Sequence, residues 1–127
     1  MSTETQPPWC ACPGGPAGCQ QPYCPYYQYV VELLGRRWAG AIVRALLAGV
    51  TRFSALAATI PDLSDRMLSE RLKELEEAGI VARVVIPATP VRVEYHLTAR
   101  GQALRPLMAA AQDWAAAWLP ERGEGGQ

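Results

Sequence analysis

The sequence predicts a mainly α fold of the α+β class, in which helices lie on both sides of one two-stranded β-hairpin. Three observations predict it. Residues 64–79 show the leucine spacing of an amphipathic helix. Two runs rich in β-branched residues, 80–86 and 91–97, follow that helix. Helical spacing of apolar residues returns in 99–119, so the hairpin is enclosed between helices.

The first of these helices has one apolar face and one polar face. Ser64 is suited to cap its start, and Gly79 is suited to end it. Leu68, Leu72 and Leu75 are spaced four and three residues apart, so they share one face. The opposite face carries polar groups suited to reading DNA, namely Arg66, Ser69, Glu70 and Lys73.

A short helix and a turn precede this amphipathic helix. Thr51 is expected to cap the short helix, in which Phe53 and Leu56 face inward. Residues 60–63 include a proline and an aspartate and are expected to form the turn. Apolar spacing in 26–49, interrupted by a glycine, predicts two further helices upstream. A short helix, a tight turn and a longer helix together predict a helix-turn-helix.

The two β-branched runs predict a hairpin of the kind called a wing. The second run, 91–97, alternates apolar and polar side chains, as a half-buried strand does. Pro87 and Pro90 bound the loop between the runs. Because this hairpin follows the helix-turn-helix, the predicted fold is a winged helix-turn-helix.

A last helix is predicted after Thr98, which is placed to cap it, and Pro106 is expected to bend it. Its apolar face includes two tryptophans, which favours an interface between two copies over a simple cover for the core. A helix-turn-helix usually binds its half-sites as a dimer, which favours the same interpretation. The residues expected at the dimer interface are Leu104, Leu107, Met108, Ala111, Trp114 and Trp118.

The chain has 127 residues, half of them apolar, which is enough for one domain with a hydrophobic core. We expect a segment rich in Cys, Pro and Gly at 1–25, a DNA-binding and dimerisation domain at 26–119, and a disordered tail at 120–127. The formal net charge is zero. Between Arg36 and Arg105, however, eleven Arg or Lys against seven Asp or Glu leave a net charge of +4, which allows a basic surface.

No apolar run approaches the ~20 residues that a membrane span requires. Residues 1–9 also lack the basic and apolar regions of a secretory signal. The sequence therefore predicts a cytoplasmic protein with no membrane partner.

His96 is the only histidine, and the strand pattern places it on the polar side of the hairpin. No Cys-His or Ser-His-Asp arrangement can therefore form except around this one surface residue. The sequence also lacks a glycine-rich phosphate loop that leads into a helix. These observations predict that the protein is not an enzyme.

All four cysteines lie in the first 25 residues. Cytosolic thiols are normally reduced, so metal ligands or redox-active thiols are favoured over a permanent disulfide framework. The spacing does not match the paired Cys-x2-Cys of common zinc sites. Four thiols gathered in a short segment nevertheless suit an iron–sulfur cluster or zinc, with the ligands Cys10, Cys12, Cys19 and Cys24.

Several motifs occur in a fixed order along the chain: Cys24-Pro25, Leu34-Gly35-Arg36-Arg37-Trp38, residues 52–56, residues 64–76, and residues 91–98 with Gly101. Together they resemble the HxlR-type winged helix-turn-helix transcription regulators of bacteria, over about residues 24–119. The resemblance implies a homodimer that binds palindromic, double-stranded operator DNA and regulates nearby genes. Cys10, Cys12 and Cys19 have no usual counterpart in that family.

Insertion of the amphipathic helix into the major groove would bring its N-terminal half to the base edges. Arg66 is the first candidate for a bidentate contact to guanine, and Ser69 and Glu70 are candidates for shorter contacts. Arg71 is instead expected to brace the helix. The candidates for phosphate, backbone or minor-groove contacts are Lys73, Arg92, Arg52 and Arg37.

Cys24 occupies the position where redox-sensing members of the resembled family carry their reactive cysteine. A helix N-terminus favours the thiolate form of a nearby cysteine. The predicted function is therefore a homodimeric DNA-binding repressor that responds to thiol oxidation through Cys24. The alternatives are a metal- or cluster-sensing regulator that uses the same four cysteines, and a winged-helix module for protein–protein interaction.

Overall fold

The computed structural model describes residues 17–120, and in that range it contains six helices and one two-stranded antiparallel sheet. This confirms the predicted α+β class. No helix among the described residues is long and apolar enough to cross a bilayer. The elements in chain order are α1 (Pro25–Gly35), α2 (Ala39–Leu47), α3 (Phe53–Thr59), α4 (Asp65–Glu77), β1 (Val81–Ile86), β2 (Arg92–Leu97), α5 (Ala99–Gln102) and α6 (Arg105–Trp118).

The described residues fall into two compact units that divide between Ala39 and Gly40. We call them the N-terminal unit, 17–39, and the C-terminal unit, 40–120. The segments expected at 1–25 and 120–127 lie mostly outside the described residues, so those boundaries remain predictions.

The N-terminal unit contains α1. Pro25 stands in its first turn, where a missing backbone N–H costs no hydrogen bond. Cys24 is the N-cap residue in an extended conformation, and its carbonyl accepts a hydrogen bond from the Gln28 amide at 3.0 Å. The start of this helix is thus set by the Cys24-Pro25 pair.

The core of the C-terminal unit consists mainly of aliphatic side chains from α2, α3 and α4, and Val81 and Tyr95 of the wing are buried with them. Among the described residues, no polar or charged side chain is buried. The largest completely buried side chains are Ile42, Val43, Leu56, Leu68, Leu72 and Leu75. The three leucines of α4 are therefore the inward face, as their spacing predicted.

Both ends of α4 also agree with the sequence. The Ser64 hydroxyl oxygen accepts a hydrogen bond from the Met67 amide at 3.0 Å, and Gly79 has a φ of 80° just after the helix. Arg71 lies 3.1 Å from the Glu74 carboxylate, and its side chain is only 11% exposed. Arg71 thus braces the helix, as expected.

The prediction that Thr51 caps α3 is wrong. The N-cap residue is Arg52, and no side chain caps the helix. The Thr51 carbonyl instead accepts a hydrogen bond from the Tyr95 amide at 2.8 Å, and Arg52 forms an antiparallel bridge with Glu94. The backbone of Thr51 and Arg52 thus pairs with β2, and this pairing replaces the predicted side-chain cap of α3.

The hairpin forms in the predicted place. β1 and β2 pair in antiparallel register, from Val81 opposite Leu97 to Ile86 opposite Arg92. Tyr95 is buried and His96 is exposed. The alternation in the sequence therefore correctly identified the two faces of β2.

The prediction of one bent helix after Thr98 is partly wrong. Thr98 does cap a helix, since its hydroxyl oxygen accepts from the Gly101 amide at 3.2 Å, but that helix is the short α5. Pro106 stands in the first turn of a separate helix, α6. Proline is tolerated in a first turn and disfavoured inside a helix, so the chain divides the segment in two.

The start of α5 packs closely against the start of β1 and holds the two ends of the wing together. The Thr98 amide donates to the Ile80 carbonyl at 3.0 Å. A Cβ added at Gly101 would lie 2.3 Å from that carbonyl oxygen and 2.8 Å from Cδ2 of Leu97. Only glycine fits this contact.

We therefore expect Gly101→Ala to lower the free energy of unfolding by about 1–3 kcal/mol, because backbone must move to make room for the methyl group. The measurement is the urea midpoint followed by circular dichroism. Gly35→Ala is the matched control, since a Cβ there meets nothing within 4 Å. An unchanged midpoint for Gly101→Ala would contradict the close packing.

Candidate nucleic-acid interface

The outer face of α4 is exposed and polar. The Arg66 side chain is 89% exposed, and its Nε lies 3.3 Å from Oε2 of Glu70, one turn along the helix. Ser69 and Lys73 are also exposed. The structure thus places the four predicted polar residues of α4 on one accessible surface.

The Arg66–Glu70 pair restrains the arginine only weakly. An exposed pair at this spacing contributes about 0.3–0.5 kcal/mol. A bidentate contact to a guanine edge contributes about 1–3 kcal/mol of discrimination, which is larger. Arg66 can therefore leave Glu70 for a base at little cost.

A groove of about 730 Å³ separates the wing from α3 and α4. Among the described residues, three arginines and no acidic residue line it, so this part of its surface is positively charged. The groove also includes two serine hydroxyls and two aromatic rings, which suit contacts to a sugar–phosphate backbone. Its lining residues are Arg52, Phe53, Ser54, Ser69, Arg83, Ala88, Thr89, Pro90, Val91, Arg92, Val93 and Tyr95.

Arg92 is held by an acidic neighbour on the same strand. Its Nε is buried, lies 3.3 Å from Oε2 of Glu94, and makes no hydrogen bond within the described part of the chain. Glu94 also contacts Nε2 of His96 at 2.8 Å. The hydrogen bond with His96 is the largest effect and lowers the pKa of Glu94 below its ordinary value. Desolvation opposes it, and the charge of Arg92 lowers the pKa further. Glu94 therefore stays ionised and orients Arg92 beside the groove.

Arg83 is a groove residue that sequence reasoning missed. It is exposed on β1, directly opposite Tyr95 of β2. In the sequence it is the one charged residue inside the apolar run 80–86, which predicts a strand but no DNA contact. One charge in a run that does not alternate leaves open which face of the hairpin carries it, so the sequence alone does not place Arg83 beside α4.

The two other predicted phosphate contacts lie in different places. Arg52 lines the groove at the start of α3. Arg37 belongs to the N-terminal unit and is not a groove residue; its guanidinium carbon lies 5.1 Å from the centre of the Trp38 ring. A cation over an aromatic ring at this distance is attracted to it. The phosphate contact of Arg37 stays a prediction.

An apolar face of α6 is exposed. Leu107, Ala111, Trp114 and Trp118 are all exposed, with Trp118 at 72%. Leu104 and Met108 are half-buried, and Met108 lines a separate groove between α6 and α2. Two of the six predicted interface residues thus face the chain's own helices, and four face outward.

The two described cysteines, Cys19 and Cys24, line one pocket of about 500 Å³. Cys24 keeps its thiol and is half-buried, whereas Cys19 is disulfide-bonded. A disulfide sulfur is not a thiolate ligand, so the predicted four-thiolate site cannot include Cys19 in this state. Cys10 and Cys12 lie outside the described residues.

The helix-turn-helix, the wing and the basic groove define a winged helix-turn-helix transcription regulator. The model of the HxlR-like helix-turn-helix family matches residues 33–123, and the chain belongs to that family. The prediction that it is not an enzyme is confirmed, because the family and the relatives are DNA-binding transcriptional regulators.

Among known proteins, the chain is 50% identical over 100 residues to the uncharacterized HTH-type transcriptional regulator YvaP of Bacillus subtilis; the match covers 79% of this chain and 93% of YvaP. It is similar to the reduced form of the B. subtilis regulator YodB, with a TM-score of 0.69 and 44% identity over 83% of this chain and 99% of that one. The reduced redox regulator HypR gives a TM-score of 0.68 and 32% identity over 72% and 91% of the two chains.

We predict that Arg83→Gln weakens binding to double-stranded DNA of any sequence, because it removes a phosphate contact. The slope of log K against log salt concentration should fall by about 1. Fluorescence anisotropy with a labelled random-sequence duplex measures that slope. Arg105→Gln, which removes an exposed arginine outside the groove, is the control. An unchanged slope for Arg83→Gln would show that Arg83 does not contact phosphate.

Proposed function

We propose that this regulator is a homodimeric repressor that binds operator DNA through α4 and the wing, and that oxidation of Cys24 controls its binding. The observation that carries the DNA-binding assignment is the exposed polar face of α4 beside a groove with three arginines and no acidic residue. Such a surface offers both base-edge and phosphate contacts.

The residues divide into two roles. Arg66, Ser69 and Glu70 contact base edges in the major groove, because they lie on the exposed N-terminal half of α4. Lys73 and the arginines of the groove contact phosphates and fix the position of α4 on the duplex. This division assigns sequence preference to α4 and most of the electrostatic affinity to the groove.

Dimerisation is assigned to the outward face of α6. Leu107, Ala111, Trp114 and Trp118 lie at helical spacing, so they form one stripe on that helix. Exposed tryptophans on a continuous apolar stripe are typical of interfaces rather than of free surface. A second copy is the occupant that supplies the two recognition helices for a palindrome.

Trp114→Ala should weaken the dimer by about 2 kcal/mol, roughly 30-fold in the dissociation constant, since a central tryptophan is a common hot spot. Sedimentation velocity over a concentration series measures this constant. Asp113→Ala, on the same helix but off the stripe, should leave it unchanged. A Trp114→Ala protein that dimerises like the wild type would place the interface elsewhere.

Redox control rests on the thiol of Cys24 at the start of α1 and on the redox forms in which similar regulators have been solved. YodB has been solved in reduced, diamide-treated and quinone-bound forms, and HypR in reduced and oxidized forms. These redox states are properties of YodB and HypR. The similarity supports the same class of response in this chain.

Cys24→Ser should bind DNA like the reduced wild type but keep binding after treatment with diamide, because it lacks the thiol that is oxidised. Gel shifts with a duplex selected from random sequences by the reduced wild-type protein measure the response. Ala116→Ser, at an exposed position of α6 that lies outside both the groove and the cysteine segment, is the control and should respond to diamide like the wild type. If Cys24→Ser loses DNA binding after diamide treatment to the same extent as the wild type, the assignment of redox control to Cys24 is wrong.

A further inference from the structure

Cys24 and Cys19 lie together in the N-terminal unit in opposite redox states. Both line the pocket of about 500 Å³, which Tyr26 and Tyr27 also line. One sulfur is a thiol and the other belongs to a disulfide. A thiol and a disulfide that share a pocket are the two reactants of thiol–disulfide exchange.

The sequence restricts the possible partners of Cys24. Residues 25–127 contain no cysteine. A disulfide between Cys24 and another cysteine of this sequence must therefore involve the first 24 residues, in the same chain or in a second copy. Among the described residues, Cys19 is the other cysteine that lines the pocket of Cys24.

We propose that Cys24 is oxidised by exchange with the disulfide of Cys19 rather than by direct attack of the oxidant on Cys24; this rests on the proposed redox control. The Cys24 thiolate attacks Sγ of Cys19, and a new Cys19–Cys24 disulfide forms. The old bond breaks, and the former partner of Cys19 leaves as a thiolate. The number of thiols and disulfides is unchanged, so the step needs no external oxidant or reductant.

Short separation along the chain favours this exchange. Only residues 20–23 lie between the two cysteines, so closing the loop costs little chain entropy. An intramolecular thiol reacts at an effective concentration of roughly millimolar, above that of a second copy at typical protein concentrations. Exchange within the chain is therefore faster than a link between chains.

The product fixes the beginning of α1. Cys24 is the N-cap residue, and its carbonyl holds the Gln28 amide. A Cys19–Cys24 disulfide ties this residue to the preceding turn, in which Gly18 has a φ of 75°. Oxidation of Cys24 therefore changes the covalent structure at the first turn of α1.

The test uses the full-length protein with Cys19 in its disulfide and Cys24 as a thiol, isolated at about pH 5, where few thiols are ionised. It is moved to about pH 8 without air or oxidant, and thiols are alkylated at intervals after an acid quench. Chymotrypsin cleaves after Trp9 and Tyr23 and so separates Cys24 from residues 10–23. Mass spectrometry with fragmentation then identifies the linked pair.

We expect the alkylation of Cys24 to be lost while a Cys19–Cys24 linkage appears and the total number of thiols stays constant. In Cys19→Ser, carried through the same steps, Cys24 should remain fully alkylated. Three results would overturn the proposal: Cys24 that stays a thiol, Cys24 linked to Cys10 or Cys12, or Cys24 linked only between chains on a non-reducing gel.

Gel shifts on the same samples separate this proposal from the proposed function. If the Cys19–Cys24 linkage forms and DNA binding is unaffected, the exchange stands and redox control fails. If diamide abolishes DNA binding without this linkage, redox control stands and the exchange is overturned.

Discussion

The arrangement of the DNA-binding surface depends on the contact between the start of α5 and the start of β1. The Thr98 amide binds the Ile80 carbonyl, and Gly101 leaves no space for a side chain beside it. Ile80 follows α4 by a few residues, and Thr98 follows β2 directly. One small contact thus joins the end of α4 to both ends of the wing, which fixes the groove between them.

Beside the groove, the carboxylate of Glu94 contacts the side chains of Arg92 and His96. The backbone of Glu94 pairs with Arg52. The hydrogen bond with His96 and the charge of Arg92 lower the pKa of Glu94, so its carboxylate stays charged down to a more acidic pH than an ordinary glutamate. Its stabilising pairings are present above the ordinary glutamate pKa and are lost as the pH falls through the lowered value. The side chain lies outside the groove lining and so repels phosphate less than a lining acid would.

The sequence predicted the features that depend on local periodicity and capping. The α4 leucines, its cap at Ser64 and the faces of β2 all follow from spacings of a few residues. The errors arose where distant segments compete for the same backbone: Thr51 pairs with Tyr95 instead of capping α3. Arg83 was missed because its role depends on which side of the hairpin faces α4, which is a tertiary property. The division of the last segment into α5 and α6 could have been predicted from the sequence. Proline is favoured in the first turn of a helix over its interior, so Pro106 marks the start of a new helix.

The positions of the cysteines constrain how a redox signal can act. The C-terminal unit, which carries the groove and α4, has no cysteine, so oxidation of a thiol cannot change the groups proposed to touch DNA. Under the proposed redox control, the property that can change is the separation of the two recognition helices of the proposed dimer, because both must fit one palindrome at a fixed half-site spacing. A disulfide at the first turn of α1 alters the end of a helix and leaves the DNA-contacting chemistry intact. Control by spacing also explains why Cys24→Ser is expected to retain DNA binding, since serine occupies nearly the same volume and cannot form the bond.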